Sequence, residues 1–331
     1  MKRFLKTISL VVFVIGLIFS INFFLFFNTP ARKTDQPVSV LIEPGTGLHE
    51  ITRKLSDEGL ISNQIFFELY LKLRGFDTRI RAGDYQFAPG LSPNEIVDLL
   101  LKGDFARLRI TLVEGWTVRD AARYLGEKGL AGSDEFLQKA REPVLLQSLG
   151  IQAPTLEGYL FPDTYEMYRP KGAEEIIRKV VGHFHEVFDE TLKRRAQEAG
   201  SDVSQVLILA SIVEKETGKD EERPLIASVF LNRLKRKMGL DSDPTVIYGI
   251  PNFNGNLTRA DLKRPSPYNT YLNAGLPPTP ICSPGLASIR AVLYPAETDF
   301  LYFVSKNDGS HYFSKSLEEH QRAVIEYQRS R

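Results

Sequence analysis

Apolar residues are spaced along this chain in three successive ways. From Thr7 to Phe27 the sequence TISLVVFVIGLIFSINFFLFF runs 21 residues without a charge, close to the roughly 20 that a helix needs to cross hydrocarbon. From Val40 to Leu130, short apolar runs end in glycine-bearing turns and pass into helix-spaced segments, the mark of small β-α units. From Ala173 the pattern is mainly helical. Ile176, Val180, Phe184, Val187 and Phe188 recur at steps close to three and four, predicting one helix over 173–199 with Gly200 as its stop. The next helix, Asp202–Thr217 with Ser201 as its cap, reads VLILASIV in the middle. Apolar on every face, it has to be buried all round and to form the centre of its domain.

The stretch from Val40 repeats from Ile110 at an offset of 70. VLIEPGTGLHEITRKLSDEGL and ITLVEGWTVRDAARYLGEKGL match Gly45 with Gly115, Glu50 with Asp120, Leu55 with Leu125 and Gly59-Leu60 with Gly129-Leu130. Each copy predicts a strand, a turn and an amphipathic helix. A weaker third copy is Tyr85–Leu100, where Pro89-Gly90 makes the turn, Ser92 caps the helix, and Ile96, Leu99 and Leu100 follow at helical spacing. Units this short are not solenoid repeats. Ser133–Ala140 reads as helix, and LEGYLFPDTYEMY (Leu156–Tyr168) as a structured connection. Later, Pro224–Met238 predicts a helix started by its proline and followed by Gly239, and Leu286–Leu293 another. FLYFVS and HYFS form a hairpin around Asn307-Asp308-Gly309, and Ser316 with Glu319 in capping-box position opens a last helix.

Composition narrows the classes. The 331 residues are 43% hydrophobic and 25% charged, ordinary for a globular chain, and the length fits two domains. Net charge is +1, and without Lys2, Arg3 and Lys6 the remainder is −2, which leaves no polyanion-binding excess and argues against nucleic acid. Cys282 is the only cysteine, so neither an intramolecular disulfide nor a thiolate zinc site can form. His183 and His185, two apart on one predicted helix, point about 200° from each other and cannot share a metal. No metal or other cofactor is expected. Lys2, Arg3 and Lys6 put the N-terminus in the cytoplasm by the positive-inside rule, an asymmetry that Arg32 and Lys33 weaken slightly. The expected order is a cytoplasmic tail 1–6, a transmembrane helix 7–27 and a tether 28–37, with everything later outside the plasma membrane. A cleaved signal peptide is the competing reading; the length of the run and Phe23, Phe24, Phe26 and Phe27, where cleavage needs small residues, oppose it.

Candidate chemistry gathers where the all-apolar helix ends in Glu214-Lys215-Glu216-Thr217. A carboxylate closing a buried helix sits where the interior meets a cleft, and apolar burial raises its pKa toward neutrality, as a general acid requires. Glu214 and Glu216 lie about 200° apart around the helix, so at most one faces a given cleft. Glu214, deeper in the run, is the expected acid. Against this stands a purely structural reading, in which these carboxylates pair with Lys215, Arg223 or Arg233. Beyond the helix, LDSDPTVIYG (Leu240–Gly249), SPYNTY (Ser266–Tyr271) and GLPPTPICSPG (Gly275–Gly285) read as irregular loops dense in Pro, Tyr, Asn and Thr. Aromatic faces and amides on rigid loops suit a pyranose ring, with its apolar face and rim of hydroxyls. Candidate substrate-binding residues are Asn232, on the helix before these loops, and Thr245, Tyr248, Tyr268, Asn269 and Tyr271 within them.

Two resemblances follow. The glycine turns and helices of 38–103 loosely resemble LysM modules, which bind N-acetylglucosamine-containing glycans; a packing subdomain that positions the rest is the alternative. More specifically, ASIVEKET, DPTVIYG, YNTY, GLPP, SPG, YFV and His311, in that order, resemble the endolytic murein transglycosylases of the YceG-like family. The resemblance implies an α+β fold: a single N-terminal transmembrane helix, a small LysM-like β/α subdomain over 38–105, a second β-α repeat and connection over 106–155, and a mainly helical, lysozyme-like catalytic domain with a β-hairpin over 156–331. It implies a lyase that cuts the MurNAc-GlcNAc β-1,4 bond of nascent peptidoglycan to 1,6-anhydro ends, with the catalytic glutamate carried onto Glu214. Its partners would be peptidoglycan strands, the membrane and peptidoglycan synthases. One acidic group suffices where the muramic acid C6 hydroxyl attacks in place of water; Asp241 and Asp243 are the nearest candidates for the second carboxylate of a hydrolase. A non-enzymatic, membrane-anchored peptidoglycan-binding or division-scaffold protein is the alternative.

Overall fold

The computed structural model describes residues 2–31, 36–103, 108–167, 170 and 172–329. The chain forms two compact units, one of residues 1–109 with 166–169, the other of 110–165 with 170–331. The second repeat thus packs in one unit with the segment expected to be catalytic. Part of the expected tether, residues 32–35, lies outside the described residues.

In the first unit, helix α1 (Lys2–Asn28) is followed by β1 (Val38–Ile42), α2 (Leu48–Asp57), α3 (Gln64–Leu73), β2 (Gly83–Phe87) and α4 (Pro93–Lys102). β1 and β2 pair antiparallel with Val40 opposite Tyr85. The period-two alternation turns Val40, Ile42, Tyr85 and Phe87 inward, where Leu55, Phe67, Leu71, Ile96 and Leu100 meet them. Ser92 caps α4 in a reciprocal box with Glu95, a feature worth about 1 kcal/mol. Phe27, expected in the membrane, is only 3% exposed and belongs to this core.

The second unit holds most of β3 (Leu108–Leu112) and of β4 (Asp163–Met167), whose outer two residues each fall in the first unit, together with α5 (Val118–Glu127), α6 (Ser133–Lys139), α7 (Pro143–Ser148), α8 (Ala173–Val187) and α9 (Glu190–Glu198). Then come α10 (Val203–Glu216), α11 (Arg223–Lys235), α12 (Asp243–Tyr248), α13 (Leu286–Leu293), the hairpin β5 (Tyr302–Ser305) and β6 (His311–Ser314), and α14 (Leu317–Val324). The repeat is kept in register: β1 and α2 reappear as β3 and α5, and both turns place glycine at positive φ, Gly45 at 84° and Gly115 at 75°. β3 pairs with β4, and β5 with β6.

Three local expectations change. The predicted helix 173–199 is two helices, because the Asp189 carboxylate accepts the backbone N–H groups of Thr191 and Leu192 and so starts α9 anew. Asp202, not Ser201, caps α10, in a box with Gln205. DPTVIY, read as a loop, forms α12 with Pro244 in its first turn. As its sequence requires, α10 is buried from Val206 through Val213. Each such Leu, Ile or Val contributes about 1.5–3 kcal/mol. Thr217 then turns to extended backbone and ends the helix.

Candidate active site

The two glutamates that close α10 meet different surroundings. Glu214 Oε1 accepts from Arg223 Nη2 at 3.1 Å, and Oε2 accepts from Gly285 N at 2.9 Å and from Ser288 Oγ at 2.8 Å. Arg223 also bonds Ser288, at 3.0 Å, and Asp220. The side chains of Glu214 and Arg223 are each 6% exposed. Gly285 is the N-cap of α13, so Glu214 faces the positive end of that helix as well as a guanidinium. Both carboxylate oxygens are thus taken up by hydrogen bonds, one of them from a guanidinium. Of the pairings that the structural reading of Glu214 offered, the one with Arg223 is present.

Glu114, in the glycine turn of the second repeat, lies against the same Gly285, where a β-carbon would collide with its carboxylate. Burial, and then the negative charge of Glu214, push its pKa up. Sequence reasoning passed over Glu114. Its signal was a difference between the copies: Pro44 in the first turn stands where the second has this acid. Main-chain bonds from Gly115 N to Ser283 O, 2.9 Å, and from Ser283 N to Trp116 O, 2.7 Å, fasten that turn to the SPG segment.

Among the described residues no cation is hydrogen-bonded to Glu216. Its Oε1 accepts from Ser242 Oγ at 2.5 Å, and the residue is half-buried. Burial, the largest influence, and the negative charge of Asp243 raise its pKa to about 7, against the lowering effects of Ser242 and Arg233. Asp243 opens α12 and accepts from the Tyr271 hydroxyl at 2.8 Å. Tyr271 keeps 41% of its surface exposed, beside Leu272 at 53%. Thr245 and Thr270, hydrogen-bonded to each other at 2.8 Å, fix the Ser242 loop through Ser242 O and Ser242 N. The sequence stretches DPTVIYG and YNTY thus converge on Glu216, not on Glu214.

The other expected binding residues make hydrogen bonds within the fold. Asn232 donates to the carbonyls of Thr298 and Phe300, at 2.8 and 3.1 Å, and ties α11 to the segment leading into the hairpin. Asn269 is fully buried and organises its own loop, donating to Leu262 O and Arg264 O and accepting from Tyr271 N. Thr245 is fully buried as well. Tyr248 donates to Glu157 at 2.8 Å, and Tyr268 bonds Thr279 at 2.8 Å. Glu157, accepting also from Val118 N, is driven up to about 7 by burial. His311 ties β6 to Glu222 beside α11 through its N–H and ring, while His183 bonds Asp163 and Glu186 near the surface. Among the described residues, no group of three or more His, Cys, Asp or Glu side chains could hold a metal ion.

The model of the YceG-like family matches residues 40–326, most of the chain. The chain belongs to the YceG-like family. Among relatives of this YceG-like protein, the endolytic murein transglycosylase of Bacillus subtilis is 32% identical over 314 residues, covering 90% of this chain and 87% of that protein. The endolytic murein transglycosylase of Streptococcus pneumoniae R6 is 31% identical over 329 residues, covering 89% of this chain and 59% of that longer protein. In structure it is similar to a crystallographically determined YceG-like protein of Listeria monocytogenes, with a TM-score of 0.61 and 32% identity over 87% of this chain and 99% of the other.

Proposed function

We propose that this YceG-like chain is a membrane-anchored lytic transglycosylase that cuts the MurNAc-GlcNAc β-1,4 bond of peptidoglycan, with Glu216 as acid and base. The observation that carries the assignment is the contrast at the end of α10. A half-buried carboxyl titrating near 7 can give and retake a proton at neutral pH, whereas Glu214 is locked in an ion pair. This proposal departs from the expectation that Glu214 is the acid, and the ion pair between Glu214 and Arg223 is what supports the departure.

In this reaction the Glu216 carboxyl gives its proton to the glycosidic oxygen, which leaves on GlcNAc C4 as the MurNAc C1–O bond breaks. The C6 hydroxyl of the same MurNAc forms the new bond to C1, and its proton returns to the Glu216 carboxylate. No water enters, and the product is the 1,6-anhydro sugar. Holding the attacking hydroxyl in the same ring supplies an effective molarity of up to about 10⁵ M or more. Asp243, held by Tyr271, keeps negative charge near the site of developing positive charge, and the exposed Tyr271 ring offers a face to the sugar. Anchoring rests on the apolar helix segment Leu10–Asn28, with the N-terminus in the cytoplasm and the catalytic unit outside. The LysM-like turns at Gly45 and Pro89-Gly90 give the first unit a glycan contact of its own. The deciding experiment is mass spectrometry of purified glycan strands digested by the wild type, Glu216→Gln and Glu214→Gln. Anhydro ends from the wild type and from folded Glu214→Gln, with none from folded Glu216→Gln, are expected. Reducing ends would replace the lyase by a hydrolase, and an active Glu216→Gln would remove the assignment.

A further inference from the structure

We infer that α3 lies in the outer face of the lipid bilayer, with its Ile65, Leu69 and Leu73 stripe against hydrocarbon. The inference rests on the anchor reading of α1. Positions four apart drift by only about 40° around a helix, so these three residues form one continuous band. They are 76%, 42% and 75% exposed, while Phe67 and Leu71 on another face of the same helix are fully buried in the core of the first unit. The core is thus satisfied without the band, and a soluble surface gains nothing from it.

The occupant follows from what lies beside the band. Phe66 of α3 meets Phe19, Phe23 and Phe26 of α1, with ring centroids 5.6, 6.3 and 5.9 Å apart, and Tyr70 meets Phe23 and Phe27 at 6.1 and 4.2 Å. Phe19 precedes the end of the apolar segment at Asn28 by nine residues, about 13 Å of helix. A membrane that covers this segment therefore extends to the level of α3. Between the two helices runs a groove of about 590 Å³ lined by Phe24, Leu69 and Leu73 among others, wide enough for an acyl chain. At the C-terminal end of α3 the surface changes character. Arg74 lies over the rings of Tyr70 and Phe76, at 5.7 and 5.8 Å, and Arg79 over Phe76 at 5.3 Å. Among the described residues neither guanidinium pairs with a carboxylate. Tyrosine and arginine at the rim of an apolar band suit the headgroup layer, where the stems stay apolar and the charges reach lipid phosphates.

The test places tryptophan at single positions in the full chain, in a Trp116→Phe background that removes the only native tryptophan, reconstituted in vesicles with and without brominated phospholipid. Leu69→Trp and Leu73→Trp should lose emission to bromine to an extent comparable with Val14→Trp inside the span, while Arg53→Trp on α2 should lose none. If Val14→Trp is quenched and both α3 probes behave like Arg53→Trp, the inference falls and the anchor stands. If Val14→Trp is not quenched either, the anchor reading falls and takes the inference with it. A blue-shifted but unquenched Leu69→Trp would mean that protein, such as a second copy of this chain, covers the band, and this too overturns the inference.

Discussion

Glu214 and Glu216 stand two residues apart on one helix, yet the fold treats them as opposites. The side facing α13 offers Glu214 an arginine, a hydroxyl and a helix N-terminus, so both of its oxygens are bonded. The side facing α12 offers Glu216 one hydroxyl and a like charge, so burial wins and the proton is held to about 7. A glutamate at a helix end thus has no chemistry of its own; its neighbours decide between a structural ion pair and a proton carrier.

The sharpest way to break this comparison is to remove each acid in turn. Glu216→Gln keeps the shape and hydrogen bonding of the side chain but cannot exchange the proton. Strand cleavage should drop by at least the 10²–10⁴-fold typical of general acid–base catalysis, with an unchanged melting temperature near pH 6. Glu214→Gln should show the reverse pattern. It leaves Arg223 buried with only exposed Asp220 opposite, which should cost roughly 3 kcal/mol in denaturant unfolding, near the low end for a broken buried pair. Turnover per folded molecule should stay within a few-fold. Comparable rate losses per folded molecule in both variants would mean that the two sides act as one site.

pH sharpens the contrast next. If protonated Glu216 starts the reaction, kcat/KM should fall as pH rises through about 7. Asp243 raises that pKa and Ser242 lowers it. Asp243→Asn should therefore move the basic limb to lower pH, and Ser242→Ala to higher pH. Stability follows the same sign. Glu216 and Glu157 both bind their protons more tightly folded than unfolded, so what they contribute is complete below about 4.5 and lost as pH rises through about 7. Thermal unfolding of Glu157→Gln between pH 5 and 8 should show a shallower decline than the wild type. An equal slope would mean that Glu157 is already charged in the folded protein.

Much of this architecture was legible because local chemistry and tertiary packing agree. The offset of 70 survives in the element boundaries, Ser92 caps as its spacing requires, Leu286–Leu293 is helical as read, and the all-apolar run is the buried helix. What could not be read were choices made across the fold. Nothing local says that Arg223 turns to Glu214 rather than Glu216, or that Glu114 arrives from 100 positions away in the chain. For the same reason nothing local says that Asn232 reaches the carbonyls of Thr298 and Phe300, or that Asn269 holds its own loop. Composition gives the kind of hydrogen bond a residue can make, and only the assembled loops decide where it is spent.

The smallest expected effect concerns Tyr271, the one expected binding residue that combines an exposed ring with a bond to an acid beside Glu216. Tyr271→Phe keeps the ring and removes the hydroxyl that bonds Asp243. One such bond is worth about 1 kcal/mol, so activity should fall by roughly fivefold. Without the hydroxyl, the Asp243 charge acts more fully on Glu216 and should move the basic limb slightly upward, opposite in direction to Asp243→Asn. Tyr271→Ala removes the sugar platform as well and should raise KM beyond the Phe variant. If Phe and Ala raise KM equally, the ring is no platform, and the hydroxyl alone links this loop to the acid.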